Sequence, residues 1–266
     1  MQEKTHISRS GQTMIYLKQC FRSFVNDKGW KIFISSSLIA FLICLVTSER
    51  MFKDYDDTRS GAFALICACI WIGIFNSIRT ICREKEIVKR EKRTGLHMSS
   101  YILAHLLYEA VLCLAESVLV TMIVRVANLG HFIQNGILLL PTVELFITLF
   151  LVMFSADALG LLISSVVKDE NTAMTVMPFA LIIQLIMSGM VFELEGASEI
   201  ISYFTISRWG LNAICASADV NHMTLFANDA YQATVGNLLF LWGILFVFAA
   251  VYGIVAVAAL HLNMSE

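Results

Sequence analysis

The residues best suited to chemistry are three acids placed inside long apolar segments. Glu109 and Glu116 lie in the apolar run 101–127, two helical turns apart and therefore on one helix face. Asp157 lies in the middle of the run 136–167, and Glu144 is nearer its outer end. A carboxyl group among apolar neighbours is costly, so it faces a partner, a bundle interior or water. Acids held at one depth could serve a hydrolase as acid and base, but Glu109, Glu116 and Asp157 form no recognised catalytic motif. The alternative is hydrogen bonding between helices.

Metal and nucleotide chemistry find less support. His105 and Glu109 are four residues apart, as two ligands on a helix would be, yet there is no His-Glu-x-x-His pattern and no third ligand. No metal site is expected. The seven cysteines fall mostly in apolar runs, and Cys67-x-Cys69 points to two helix faces, so they read as small apolar filler. No Gly-x-x-x-x-Gly-Lys-Ser/Thr loop occurs, so any ATP must be bound elsewhere.

The most informative polar segment is 83–95. It carries Glu84, Glu86, Arg90 and Glu91 among other charges of both signs, and its only apolar residues are Ile87 and Val88. Glu86 and Arg90 are four apart, which suits a short helix with internal ion pairs, and Gly95 stands where such a helix would stop. It reads either as a solvated turn or as a docking handle. The stretch 13–26 spaces Met14, Leu17, Phe21, Phe24 and Val25 helically, with Lys18 and Arg22 on another face. That is an interfacial helix, an anchor or a lever.

These segments need elements to position them. The chain has 266 residues, 58% hydrophobic and 15% charged, where a soluble domain is nearer 25% charged. With two prolines and unbroken apolar runs it reads as a helix bundle rather than a barrel. A span needs ~20 apolar residues. Six runs qualify, 31–47, 61–78, 101–127, 136–167, 173–192 and 236–262, as one all-α membrane domain over 1–266. The interrupted stretch 200–218 reads as a re-entrant or surface helix pair. Fourteen of nineteen Lys and Arg, Lys4 among them, fall in 1–31, 79–93 and at Lys168, on one side of such a bundle. The positive-inside rule then places both termini in the cytoplasm. The net charge of −2 gives no field for nucleic acid. In the fifth run, Pro178 can kink the helix, Ser188-Gly189 permits close approach, and Met174, Met177, Met187 and Met190 offer soft surface.

In order and spacing these parts resemble the type-2 ABC exporter permeases, specifically the membrane domain of G-type half-transporters. The resemblance covers almost the whole chain. The charged segment 83–95 followed by Ser99-Ser100-Tyr101-Ile102-Leu103-Ala104 and Glu109 is similar to that family's charged helix, glycine, Ser-Tyr-x-Leu-Ala and glutamate. Met187-Ser188-Gly189-Met190-Val191 resembles its Phe-Ser-Gly-apolar-apolar element. The stretch from Tyr203 to Ala213 resembles its Tyr-Phe-Ser-Ile-x-Arg-Tyr-Gly segment.

The resemblance implies a connecting helix at 13–26 and a coupling helix at 83–95 seated on an ABC ATPase. It implies re-entrant helices within an external loop 193–235. It implies a dimer, with a second copy or a homologous permease, whose second and fifth spans line the pathway of an amphiphilic substrate. Candidates for that lining are Phe63, Trp71, Phe75, Phe179, Ile183 and Met187, with Met190 and Val191 as an apolar valve. The chain itself would be no enzyme and bind no cofactor, with ATP and Mg on the partner. The family usually fuses the ATPase upstream, so a separate chain or a missing domain is expected. Export, too, is implied by family alone. The external loop has only Cys215, so no external disulfide is expected, which suits a bacterial inner or plasma membrane. A channel, a passive scaffold and an intramembrane hydrolase are the competing readings.

Overall fold

A computed structural model describes residues 8–47, 50–133, 135–192, 194–225 and 227–263. Lys4 of the basic N-terminus and Glu193, the first residue of the expected external loop, lie outside the described residues. Among the described residues every regular element is helical. The helices are α1 (Arg9–Asn26), α2 (Lys31–Thr47), α3 (Tyr55–Ser77), α4 (Thr80–Arg93) and α5 (Met98–Ala127). They continue with α6 (Pro141–Val166), α7 (Glu170–Ile186), α8 (Ala197–Ser202), α9 (Ile206–Ser217) and α10 (Val235–Asn263).

Four helical stretches are long and apolar enough to cross a membrane: α3 continued by α4, α5, α6 and α10. A fifth arises if α1 and α2, bent by 74° at residues 27–30, count as one span. The six runs therefore do not translate one for one. Both α2 and α7 have 17 residues, the short end of what spans a bilayer. The fifth run is expected to last to Phe192, but α7 ends at Ile186 and a non-helical segment with Gly189 at φ 76° follows. Helix α7 instead begins earlier, because Asp169 accepts the Thr172 N–H at 2.9 Å and caps it. The fourth run loses its first residues to a turn whose Leu138 and Leu139 N–H groups both donate to the buried Glu144. Pro141 then starts α6, where a missing N–H costs nothing.

Helix α6 is the axis of the bundle, with α3, α5, α9 and α10 all packed on it. Hydrogen bonds tie α6 to α10 at three levels. Trp242 Nε1 donates to Thr148 Oγ1 at 2.9 Å, Ser155 Oγ to the Leu245 carbonyl at 2.7 Å, and Asn263 Nδ2 to the Ser165 carbonyl at 2.9 Å. The α3–α6 crossing rests on small residues. A Cβ at Gly73 would sit 2.6 Å from the Met153 carbonyl oxygen, and one at Gly160 2.1 Å from Ser77 Oγ. Such close approach is how helices associate where lipid supplies no hydrophobic drive between them. Helix α2 offers α3 and α5 a stripe of Ser36, Ala40 and Cys44, while Ile34, Leu38, Phe41 and Leu45 face outward. Outward apolar side chains also cover α10, among them Phe240, Phe246, Val251 and Ile254.

Candidate functional site

The charged segment forms a platform at one end of the bundle. Helix α4 starts at Thr80, three residues before the expected boundary, and follows α3 through Ile78 and Arg79, both in right-handed helical conformation. Its first N–H groups find their acceptor on another helix: Ile81 and Cys82 both donate to Ser164 Oγ of α6, at 3.0 and 3.1 Å. Its other end closes as a Schellman motif. The Leu96 N–H donates to the Glu91 carbonyl at 3.1 Å and the Gly95 N–H to Lys92 at 3.2 Å, with Gly95 at φ 109°.

The charges on α4 divide by face. Glu84 accepts from Tyr101 Oη at 2.9 Å, and Glu91 accepts from Tyr16 Oη of α1. Lys85 Nζ donates to the Val167 carbonyl at 3.1 Å and Lys92 Nζ to the His261 carbonyl at 3.2 Å. Gln12 of α1 bridges the Gly95 carbonyl and the His97 N–H. These contacts clamp the inner face to α1, α5, α6 and α10. The outer stripe of Arg83, Glu86, Ile87, Arg90 and Arg93 is exposed at helical spacing. Of the expected docking set, Glu86, Arg90 and Gly95 are thus exposed, whereas Glu84 and Glu91 are consumed in holding the platform. The expected Glu86–Arg90 ion pair is not formed: Arg90 Nε donates to the Glu86 carbonyl at 3.4 Å.

Helix α1 begins at Arg9, four residues before the expected boundary, with Ser8 as its cap. Its inner face differs from the sequence expectation. Thr13, Tyr16, Leu17, Cys20, Phe21 and Phe24 turn inward, while Met14 and Val25 are exposed. Tyr16 meets Tyr101 edge to face at 5.4 Å and Phe21 meets Tyr108 at 5.3 Å. The turn into α2 requires Gly29, because a Cβ there would lie 2.2 Å from the Phe24 ring. Burial, then the charges of Glu84 and Glu109, pushes the Cys20 thiol up to about 12. At neutral pH it is therefore the unreactive thiol, since only the thiolate attacks. With the other cysteines replaced by alanine, iodoacetamide should label Cys20 far more slowly than a free thiol, and faster with every rise in pH toward 12. Labelling at the free-thiol rate at pH 7 would contradict this environment.

The expected pathway residues separate into two groups. Trp71, Phe75, Phe179, Ile183 and Val191 are exposed, while Phe63, Met187 and Met190 are partly buried, Phe63 and Met190 against the main core. Helices α3 and α7 touch, but Trp71 and Phe75 open on a cavity shared with α2 and α5. The three intramembrane acids and His105 are buried. Asn76 Nδ2 donates to Glu116 Oε2 at 2.9 Å, and the Cys113 thiol donates to Asp157. No group of three potential metal ligands comes together among the described residues.

The interrupted stretch 200–218 takes in the end of α8 and all of α9, and α9 is almost wholly buried against α3, α6 and α10. Gly210 permits this, since a Cβ there would lie 2.8 Å from Val152 and 3.0 Å from Ile66. Sequence reasoning missed Gln184, which is buried in α7. Its Oε1 accepts the Ile206 and Ser207 N–H groups at 2.8 and 3.2 Å, supplying the cap that α9 lacks locally, and Ser207 Oγ donates back to the Gln184 carbonyl. A lone glutamine in an apolar run was the available signal. Gln184→Leu should strand two buried donors at about 1–3 kcal/mol each. A thermal midpoint no lower than that of Leu185→Ala, an exposed control, would refute this role.

Comparison with known proteins matches residues 11–218 to the family described as ABC-2 type transporter. The chain is also similar to the ABC transporter ATP-binding/permease protein Rv1747 of Mycobacterium tuberculosis, with 25% identity over 231 residues. That alignment covers 82% of this chain and 26% of the relative, so the chain spans about a quarter of the length of the protein it resembles.

Proposed function

Since the chain belongs to the ABC-2 type transporter family, and so is a membrane component of an ABC transporter, we propose that it is the permease of an ATP-driven exporter that couples to ABC ATPase subunits through α4. The observation that carries this reading is the division of α4 into a clamped inner face and an exposed charged stripe. A solvated turn needs no such clamping. A surface that must bear load from a nucleotide-driven partner does.

In this reading α2, α3, α5, α6, α7 and α10 are the six spans, and both termini are cytoplasmic, where the basic excess lies. Helices α8 and α9 lie at the external end. Two permeases, identical or homologous, meet across exposed apolar surface of α3 and α7, and an amphiphilic substrate passes between them. Trp71, Phe75, Phe179 and Ile183 supply exposed apolar surface for this, with Met187, Met190 and Val191 toward the outer side. Phe63, being partly packed on the core, supports the lining from behind. ATP and Mg are held by the partner, whose closure on nucleotide shifts the permease from inward-open to outward-open.

The test is reconstitution with an ABC ATPase encoded beside this chain. The reading expects co-purification and ATP-dependent accumulation of an amphiphile inside inverted vesicles. Flux without ATP would identify a channel, and hydrolysis of a membrane substrate lost in Glu109→Gln would identify a hydrolase.

A further inference from the structure

We propose that the cleft between α2, α3 and α5 seats the ammonium head of a long-chain alkylamine against Glu116. The cleft is a cavity of about 120 Å³, lined by Ser36, Ile39, Trp71, Phe75, Asn76 and Glu116 among others. Glu116 is fully buried, yet only half its carboxyl is used. Oε2 accepts from Asn76 Nδ2 at 2.9 Å, whereas Oε1 has no partner. Ser36 lies beside the carboxyl, but its hydroxyl donates to the Phe33 carbonyl at 3.2 Å. None of the residues lining the cleft is basic. Glu116 thus brings an unmatched buried acceptor to the wall of a space that the chain itself does not fill.

The chemistry of the walls selects the occupant. A buried carboxyl with one oxygen unmatched favours a ligand that brings N–H donors and a positive charge into the same space. Trp71, half exposed at the cleft, offers aromatic surface to a cation, whereas the Phe75 ring already lies 5.5 Å from the Arg79 guanidinium, and the exposed mouth of the cleft leaves room for an alkyl tail. The volume suits a headgroup and its first methylenes rather than a whole lipid. A fatty-acid anion brings no donor to the open oxygen and is excluded. That the bound amine is also cargo rests on the transporter reading; the binding itself does not.

The experiment is equilibrium binding of radiolabelled dodecylammonium to the full chain in nanodiscs, without any ATPase. One saturable site per chain is expected, displaced by unlabelled dodecylammonium and not by dodecanoate. Glu116→Gln keeps the shape and removes the charge, and should weaken binding by about tenfold or more, the worth of a charged hydrogen bond. Ser35→Leu, at an exposed position in the same lining, fills the cleft with Glu116 intact and should abolish binding. It decides the matter should Glu116→Gln fail to give a monodisperse protein. Uptake that never saturates and scales with lipid is partitioning only, and overturns the site, as does unchanged affinity in either folded variant. Binding without ATP-driven amine transport in the reconstituted complex would leave the site standing and remove the cargo reading alone.

Discussion

Glu86→Arg and Arg90→Glu, each alone, should lower the stimulation of a partner ATPase by at least about tenfold, because a like charge set against a complementary surface costs about 1.4 kcal/mol or more. Both side chains are exposed, and Arg90 Nε donates to the Glu86 carbonyl rather than to its carboxylate. Expression, monodispersity and thermal midpoint should therefore stay at wild-type values, which separates this effect from misfolding. Glu91→Ala gives the contrasting result. It removes the acceptor of Tyr16, so it should loosen α1 from α4 and lower stability as well as coupling. The measurement is ATP turnover of the reconstituted complex against the ATPase alone. Equal stimulation by wild type and both charge reversals would remove α4 from the coupling role.

The largest structural effect is expected at Gly160. Even an alanine Cβ would lie 2.1 Å from Ser77 Oγ and 3.0 Å from the Ile74 carbonyl oxygen. Ser77 cannot simply turn away, because its hydroxyl donates to the Asp157 carbonyl at 2.8 Å. Gly160→Ala should cost about 1–3 kcal/mol by overpacking, and Gly160→Leu should separate α3 from α6 and abolish a monodisperse product. Gly243, on α10 with nothing near its missing Cβ, is the matched control and should accept alanine. Size-exclusion profiles of the fluorescently tagged variants read the outcome. A normal profile for Gly160→Leu would mean that the crossing does not hold the bundle together.

Much of the scaffold was legible because apolar length is a strong and local signal. Cores of the runs at 101–127 and 236–262 reappear as α5 and α10 with small changes at their ends. The boundaries that moved did so for reasons of capping. Asp169 caps α7 before the apolar residues begin, and Gly189 at positive φ lies where the fifth run continues without helix. The charged segment was visible as a polar interruption, but its two faces were not. Whether Glu84 meets Tyr101 or a partner depends on α5 passing beside α4, and no local spacing encodes that. Glu86 and Arg90 carry the spacing of an ion pair, yet in this structure the guanidinium turns to the backbone. Tyr16 and Cys20 were missed on α1 because apolar periodicity ranks Met14 and Val25 above them. Gln184 and Ser164 were missed for a related reason, since each caps a helix to which it does not belong.

Ser164 has a consequence for how force could travel. An ordinary helix start carries its own acceptor and can shift along a neighbour while staying capped. The start of α4 is capped by α6, so sliding between the two would expose two backbone N–H groups at once. The permitted displacement is one in which both helices travel together as a single stiff body. Because α5, α9 and α10 all lean on α6, a push at the charged end would be delivered to the far end of the bundle in one stroke, as an all-or-none event rather than a graded one.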